Sequence, residues 1–144
     1  MKIVVTGAAG FIGSHLCEFL LKSGIHEVIG IDAYVRDELK IIGNKNIETF
    51  QSHPKFTMIS SDLLQIDWDK TLEGVDIVYH LAGIPGVRSS WGNNFHHYAN
   101  TNILATQQLL EACKNTALKK FVYVSTSSVY GETSGRVTED TSTA

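Results

Sequence analysis

Three glycines spaced G-x-x-G-x-x-G (Gly7, Gly10 and Gly13) and a carboxylate at Asp32 form the pattern in this chain best suited to hold a dinucleotide. The run Lys2 to Val5 ahead of them is short, apolar and β-branched, and reads as a buried parallel strand. Gly7 lets the chain turn sharply out of that strand. Gly10 removes the side chain where a pyrophosphate must approach the backbone, and Gly13 allows a helix to pack closely on the strand. An amphipathic helix follows, presenting unpaired N–H groups and a positive dipole end to an anion. Asp32 stands 19 residues beyond Gly13, close to the ~20 at which an acidic side chain takes a ribose hydroxyl. Its two oxygens suit both adenosine ribose hydroxyls, and its charge repels a 2′-phosphate, so NAD is preferred. Arg36 lies near enough to keep NADP from being excluded. The competing reading makes Asp32 an ordinary strand-end cap.

The elements that hold these residues in place alternate along the chain. Leu16, Phe19 and Leu20 recur at helical spacing before a stop at Lys22-Ser23-Gly24. Glu27 to Asp32 is the second strand, and a short helix is expected around Arg36–Ile42. Lys55 to Asp62 is the third strand, followed by Leu63. There Asp62 and Leu63 suit an adenine amino group and ring face, and Asp62 equally suits a cap on the next helix. Asp67 to Gly74 reads as a short crossover helix, and Asp76 to Gly83 as the fourth strand. Its small carboxyl-end residues let a ligand lie close to the backbone.

Ile84 to Asn94 is a loop carrying Arg88 and Trp91, suited to an anion and an apolar ring face, or simply to solvent. Phe95 to Lys114 is the longest helical pattern, with Ile103, Leu104, Ala105, Leu109 and Leu110 expected to face the sheet. Asn100 and Asn102 are poor interior helix residues, so at least one is expected to make a polar contact. Lys120 to Ser125 is the fifth strand. Five strands with crossovers predict an α/β, doubly wound parallel sheet of Rossmann-like order 3-2-1-4-5, with a ligand across the carboxyl ends.

Composition narrows the classes. The chain has 144 residues, 43% of them hydrophobic, which suits one domain with its own core. A net charge of −3 without a basic run argues against nucleic acid or an acidic membrane surface. The apolar start is only a strand long and contains Lys2, so neither a signal peptide nor a membrane span is expected. Cys17 and Cys113 read as reduced, buried thiols, and the compartment as the cytoplasm. His96 and His97 are adjacent and would point about 100° apart on a helix, so no metal site is expected.

The pieces TGAAGFIGSHL (Thr6–Leu16), Ile31-Asp32, Asp62-Leu63, HLAG (His80–Gly83), NTNILAT (Asn100–Thr106) and VSTSSVYG (Val124–Gly131) resemble the extended short-chain dehydrogenase/reductase superfamily. Within it they resemble the NAD-dependent sugar-nucleotide epimerases and dehydratases. The run GVRSSW (Gly86–Trp91) looks like members acting on UDP-glucuronate or UDP-glucose at C4. The resemblance implies that Gly7, Gly10 and Gly13 carry the pyrophosphate, with the Phe11 and Ile12 amides as donors. It gives Asp32 the adenosine ribose and Asp62-Leu63 the adenine. Leu81, Ala82 and Gly83 would line the path to the nicotinamide, with Asn102 behind it. Thr126 would be the active-site hydroxyl that bonds the reacting sugar, with Ser127 beside it; Arg88 and Ser127 would touch the substrate.

In such enzymes a tyrosine of lowered pKa takes a proton from the C4 hydroxyl as hydride moves to the nicotinamide. A lysine four residues later helps lower that pKa. The 4-keto sugar is then re-reduced, or first loses water. The Y-x-x-x-K pair is expected some two dozen residues after Thr126, beyond Ala144, and Tyr130 has no lysine at that spacing. Residues 1–144 are therefore read as one incomplete NAD-binding domain, inactive alone, of a protein that the resemblance makes a homodimer using a UDP-sugar. A non-catalytic NAD-sensing or protein-interaction module of the same fold is the alternative.

Overall fold

Ile3, Val4 and Val5 are buried on both faces of their strand, which only a covered parallel sheet allows. The computed structural model describes residues 1–34, 37–86 and 88–143, with backbone alone at 37–39. Five parallel strands, β1 (Lys2–Thr6), β2 (Glu27–Asp32), β3 (Phe56–Ser60), β4 (Ile77–His80) and β5 (Lys120–Tyr123), form one sheet in the order β3-β2-β1-β4-β5. The doubly wound order expected from the sequence is therefore present.

Alternate strand residues feed two cores. Ile3, Val5 and Val28 pack with Cys17, Leu20 and Leu21 of α1 (Phe11–Lys22) and with Ile47 of α2 (Asp37–Ile47). Val4, Ile29, Ile31 and Val78 pack on the other face with Trp68 of α3 (Trp68–Thr71) and Leu109. Burying one such leucine contributes about 2 kcal/mol.

Several boundaries differ from expectation. The α2 helix runs five residues past Ile42, while α3 keeps only one turn, capped by the Asp67 carboxylate on the Lys70 amide. Arg36 lies outside the described residues. Phe19, one of the apolar residues at helical spacing, is 72% exposed, because positions 13, 14, 17, 20 and 21 form the buried stripe of α1. Strand β5 ends at Tyr123 rather than Ser125.

The long fourth helix is not uniform. A one-turn α4 (Phe95–Tyr98) widens into a π-helical stretch at Ala99–Leu104 before α5 (Ala105–Cys113) begins. The wide turn changes which side chains meet the sheet. Ala105 and Leu109 are fully buried, whereas Ile103 (64% exposed), Leu104 and Leu110 are not. Those three do not face the sheet as the periodicity suggested, because a π turn breaks the 3.6-residue repeat on which that reading rests.

Candidate functional site

Sheet order reverses at β1, which has β2 on one side and β4 on the other. Connections leave such a point toward opposite faces and open a crevice at the strand carboxyl ends. The chain leaves β1 through Gly7, whose φ of 71° suits glycine. A Cβ there would also come within 2.9 Å of the Ala82 nitrogen. At Gly13 a Cβ would overlap the Gly7 carbonyl oxygen, so helix and turn touch backbone to backbone. Gly10 is the N-cap of α1, with no side-chain cap and no acidic residue in the first turn. The helix therefore presents the Phe11 and Ile12 amides to an anion without internal competition.

Asp32 ends β2 beside this turn. Its Oδ2 accepts from the Ala9 amide at 3.0 Å and its Oδ1 from the Tyr34 amide at 2.9 Å. The carboxylate thus braces the glycine turn, and each oxygen keeps a further lone pair for a ligand hydroxyl. Tyr34, at φ 48°, has its phenol pKa raised by burial and by the neighbouring Asp32 charge. Asn46 of α2 donates to the Ala9 carbonyl at 2.9 Å and fastens the turn from the other side. Asp62 does act as a cap: its Oδ1 accepts from the Leu64 amide at 2.9 Å, starting a 3-10 turn at Leu63–Gln65.

A cavity of about 440 Å³ lies along these strand ends. Gly7, Asp32, Asp62, Leu63, Ala82 and Gly83 line it, so six of the sequence candidates share one wall system. A larger hollow of about 590 Å³ sits at the opposite edge, before β4 and β5. It offers a ligand little, because Asp76 there is already paired with Lys119 at 2.5 Å and with the Lys2 amide at 2.8 Å.

Other candidates fall elsewhere. Leu81 packs against the α1-side core rather than lining the cavity. Arg88 and Trp91 are exposed and outside the lining. Thr126 and Ser127 are exposed on the turn after β5, where the Thr126 hydroxyl accepts from the Ser128 amide. Asn102 does make the polar contact expected of it. Its Oδ1 accepts from the Ile84 amide at 2.8 Å and its Nδ2 donates to the Ile84 carbonyl at 3.0 Å. The His96 and His97 rings lie 3.8 Å apart, so they do not diverge as ideal helix geometry implied. Among the described residues no group of three or more His, Cys, Asp or Glu could hold a metal ion.

A buried relay escaped the sequence reading. The Thr6 hydroxyl lies 2.7 Å from His80 Nδ1, and His80 Nε2 lies 2.9 Å from the Thr106 hydroxyl. Thr106 donates onward to the Asn102 carbonyl, so its oxygen must accept from His80 Nε2–H. Thr6 Oγ1 accepts from the Leu81 and Ala82 amides and has only its proton left for Nδ1. Every partner is satisfied with a neutral, Nε2-protonated ring. Burial pushes the imidazole pKa down to about 4, which keeps it neutral. The signal for this was a histidine at a core-facing register position, two residues after Val78 in an otherwise apolar strand.

A parallel sheet reversing at β1, an open helix start and an acidic β2 end define a Rossmann-like dinucleotide fold. The chain belongs to the NAD dependent epimerase/dehydratase family, whose model matches residues 3–144. It is 56% identical over 142 residues to the uncharacterized UDP-glucose epimerase YtcB of Bacillus subtilis, covering 99% of this chain and 45% of that protein. Among solved structures it resembles the UDP-glucuronic acid 4-epimerase of Bacillus cereus in complex with UDP-glucuronic acid and NAD. That match has a TM-score of 0.92 and 52% identity, and covers 100% of this chain and 46% of that one. DesIV, a dTDP-glucose 4,6-dehydratase of Streptomyces venezuelae with NAD bound, matches with a TM-score of 0.81 and 30% identity, covering 100% of this chain and 45% of that one. The chain thus spans about half the length of the relatives it matches.

Proposed function

We propose that this chain is the cofactor-binding part of a nucleotide-sugar epimerase or dehydratase that takes NAD and a UDP-sugar. The observation that carries the reading is one cavity joining Gly7 at the start of the glycine turn to Asp32, Asp62-Leu63 and Ala82-Gly83; Gly10, Phe11, Ile12 and Gly13 lie outside its lining. The residues fit the cofactor. The Phe11 and Ile12 amides would meet the pyrophosphate, and the free lone pairs of Asp32 the adenosine ribose. Asp62 and Leu63 would receive the adenine, and Ala82-Gly83 leave room beyond it for the nicotinamide. When bound, the nicotinamide would supply reversible hydride acceptance. Thr126 would bond the reacting sugar hydroxyl, with Ser127 and Arg88 on the substrate side; their exposure on turns at the strand ends leaves them accessible for it.

No tyrosine of the 144 residues is followed by lysine at the fourth position, so these residues alone would bind cofactor weakly and turn nothing over. A homodimer in a cytoplasmic setting is what the family resemblance implies for the longer protein. Among the described residues no helix is long and apolar enough to cross a membrane. Calorimetric titration with NAD and with NADP tests the reading, with circular dichroism confirming the fold. Binding of NAD in preference to NADP is expected. A folded chain that binds neither at millimolar concentration refutes an autonomous cofactor site.

A further inference from the structure

We propose that Tyr98 is a positioning residue: with Asn102 it clamps the loop after β4 and so sets the sugar-side wall of the cavity. Four hydrogen bonds make the clamp. Asn102 holds both backbone groups of Ile84. One turn earlier, Tyr98 Oη lies 3.2 Å from the Pro85 carbonyl and 2.6 Å from Ser89 Oγ. The carbonyl can only accept, so Tyr98 donates to Pro85 and Ser89 donates to Tyr98. Ile84, Pro85, Ser89 and Tyr98 all line the cavity that Asp32 and Asp62 also line.

Glycine is required where the loop meets the clamp. Gly86 has φ 124°, and a Cβ on it would approach Ser89 Oγ to 2.5 Å and Tyr98 Oη to 3.3 Å. The hydroxyl pair occupies space that any other residue would fill. Tyr98 caps the widened turn at Ala99–Leu104 and Asn102 lies within it, so that turn sets their relative aim toward the loop. The loop wall is therefore held from the helix, independently of the glycine turn that serves the cofactor. Tyr98 touches a wall rather than a reacting atom, so its hydroxyl acts through Pro85 and Ser89.

This inference rests on the reading that the cavity takes a nucleotide sugar beside NAD. The test compares wild type with Tyr98→Phe and Ser89→Ala in the longer enzyme that the proposed function implies, using UDP-glucuronate and UDP-glucose as substrates. Losing the clamp bonds should raise KM about tenfold in Tyr98→Phe, the worth of one or two neutral hydrogen bonds. The fall in kcat should be smaller, Ser89→Ala should be intermediate, and the Kd for NAD should be unchanged. Deuterium exchange in peptides containing Ile84 and Ser89 should quicken in Tyr98→Phe while the rest of the sheet keeps its protection. Unchanged KM with unchanged exchange overturns the clamp, as does a loss confined to kcat, which would make Tyr98 a catalytic residue. If that longer wild-type enzyme turns over neither sugar, the functional reading is what fails, and the exchange and NAD measurements still decide the clamp.

Discussion

Acidification should unlatch the relay at His80, and the cost can be derived from its surroundings. The ring is 1% exposed, with Thr6 and Thr106 on its two nitrogens and the rings of Phe121 and Tyr123 beside it. A proton added at Nδ1 would face the Thr6 oxygen, whose accepting capacity the Leu81 and Ala82 amides already use. Burial lowers the folded-state pKa from 6.5 to about 4. Because the folded value is depressed, the unfolded chain takes up the proton first as pH falls. Stability is therefore full above pH 6.5, falls between 6.5 and about 4, and levels off below. A shift of that size corresponds to about 3 kcal/mol, a sizeable share of a small domain's stability.

The assay is urea unfolding by circular dichroism from pH 7.5 to 4, for wild type and His80→Gln. The variant should be less stable at pH 7, since it disturbs a satisfied buried network, by about 1–3 kcal/mol. It should also lose less stability on acidification, by about the 3 kcal/mol assigned to the imidazole. The difference between the two slopes separates His80 from the carboxylates that both proteins share. Parallel pH profiles would contradict this account of His80, as would an Nδ1-protonated tautomer in nitrogen NMR.

Gly13→Ala places a methyl into the Gly7 carbonyl oxygen; it should cost about 3 kcal/mol in thermal unfolding and abolish NAD binding by titration. Retention of both would mean that the turn and helix can separate without loss. Cys17 is fully buried and burial pushes its thiol pKa up to about 12, so it should resist a thiol reagent at pH 8 until denaturant is added. Fast labelling of the folded chain at Cys17 would show that α1 opens readily.

Strand existence and order were legible because each strand here is a short apolar run bounded by turn signals. A reversal at β1 then leaves few right-handed solutions. The glycine turn was legible too, since a Cβ at Gly7 or Gly13 is sterically excluded and the excluded spacing is written in the sequence. Helix faces were less so. Phe19 and Leu110 sit at plausible spacings, yet which 100° stripe faces the sheet depends on how α1 and α5 dock. Asp62 carried two readings that tertiary structure makes compatible: it caps the Leu63–Gln65 turn and still lines the cavity.

The strand–glycine turn–helix unit, the acidic end of β2 and the sheet order follow from local sterics and periodicity, so the amino-acid sequence alone suffices to specify them. The roles of Thr6, His80 and Thr106 needed the folded chain, since their partners lie 26 and 74 residues apart. Folding likewise brought Tyr98 and Asn102 onto the loop after β4, through a π-helical turn that no 3.6-residue pattern announces. A hydrogen bond needs two groups within about 3 Å, and one-dimensional spacing does not say which distant groups the fold will bring that close.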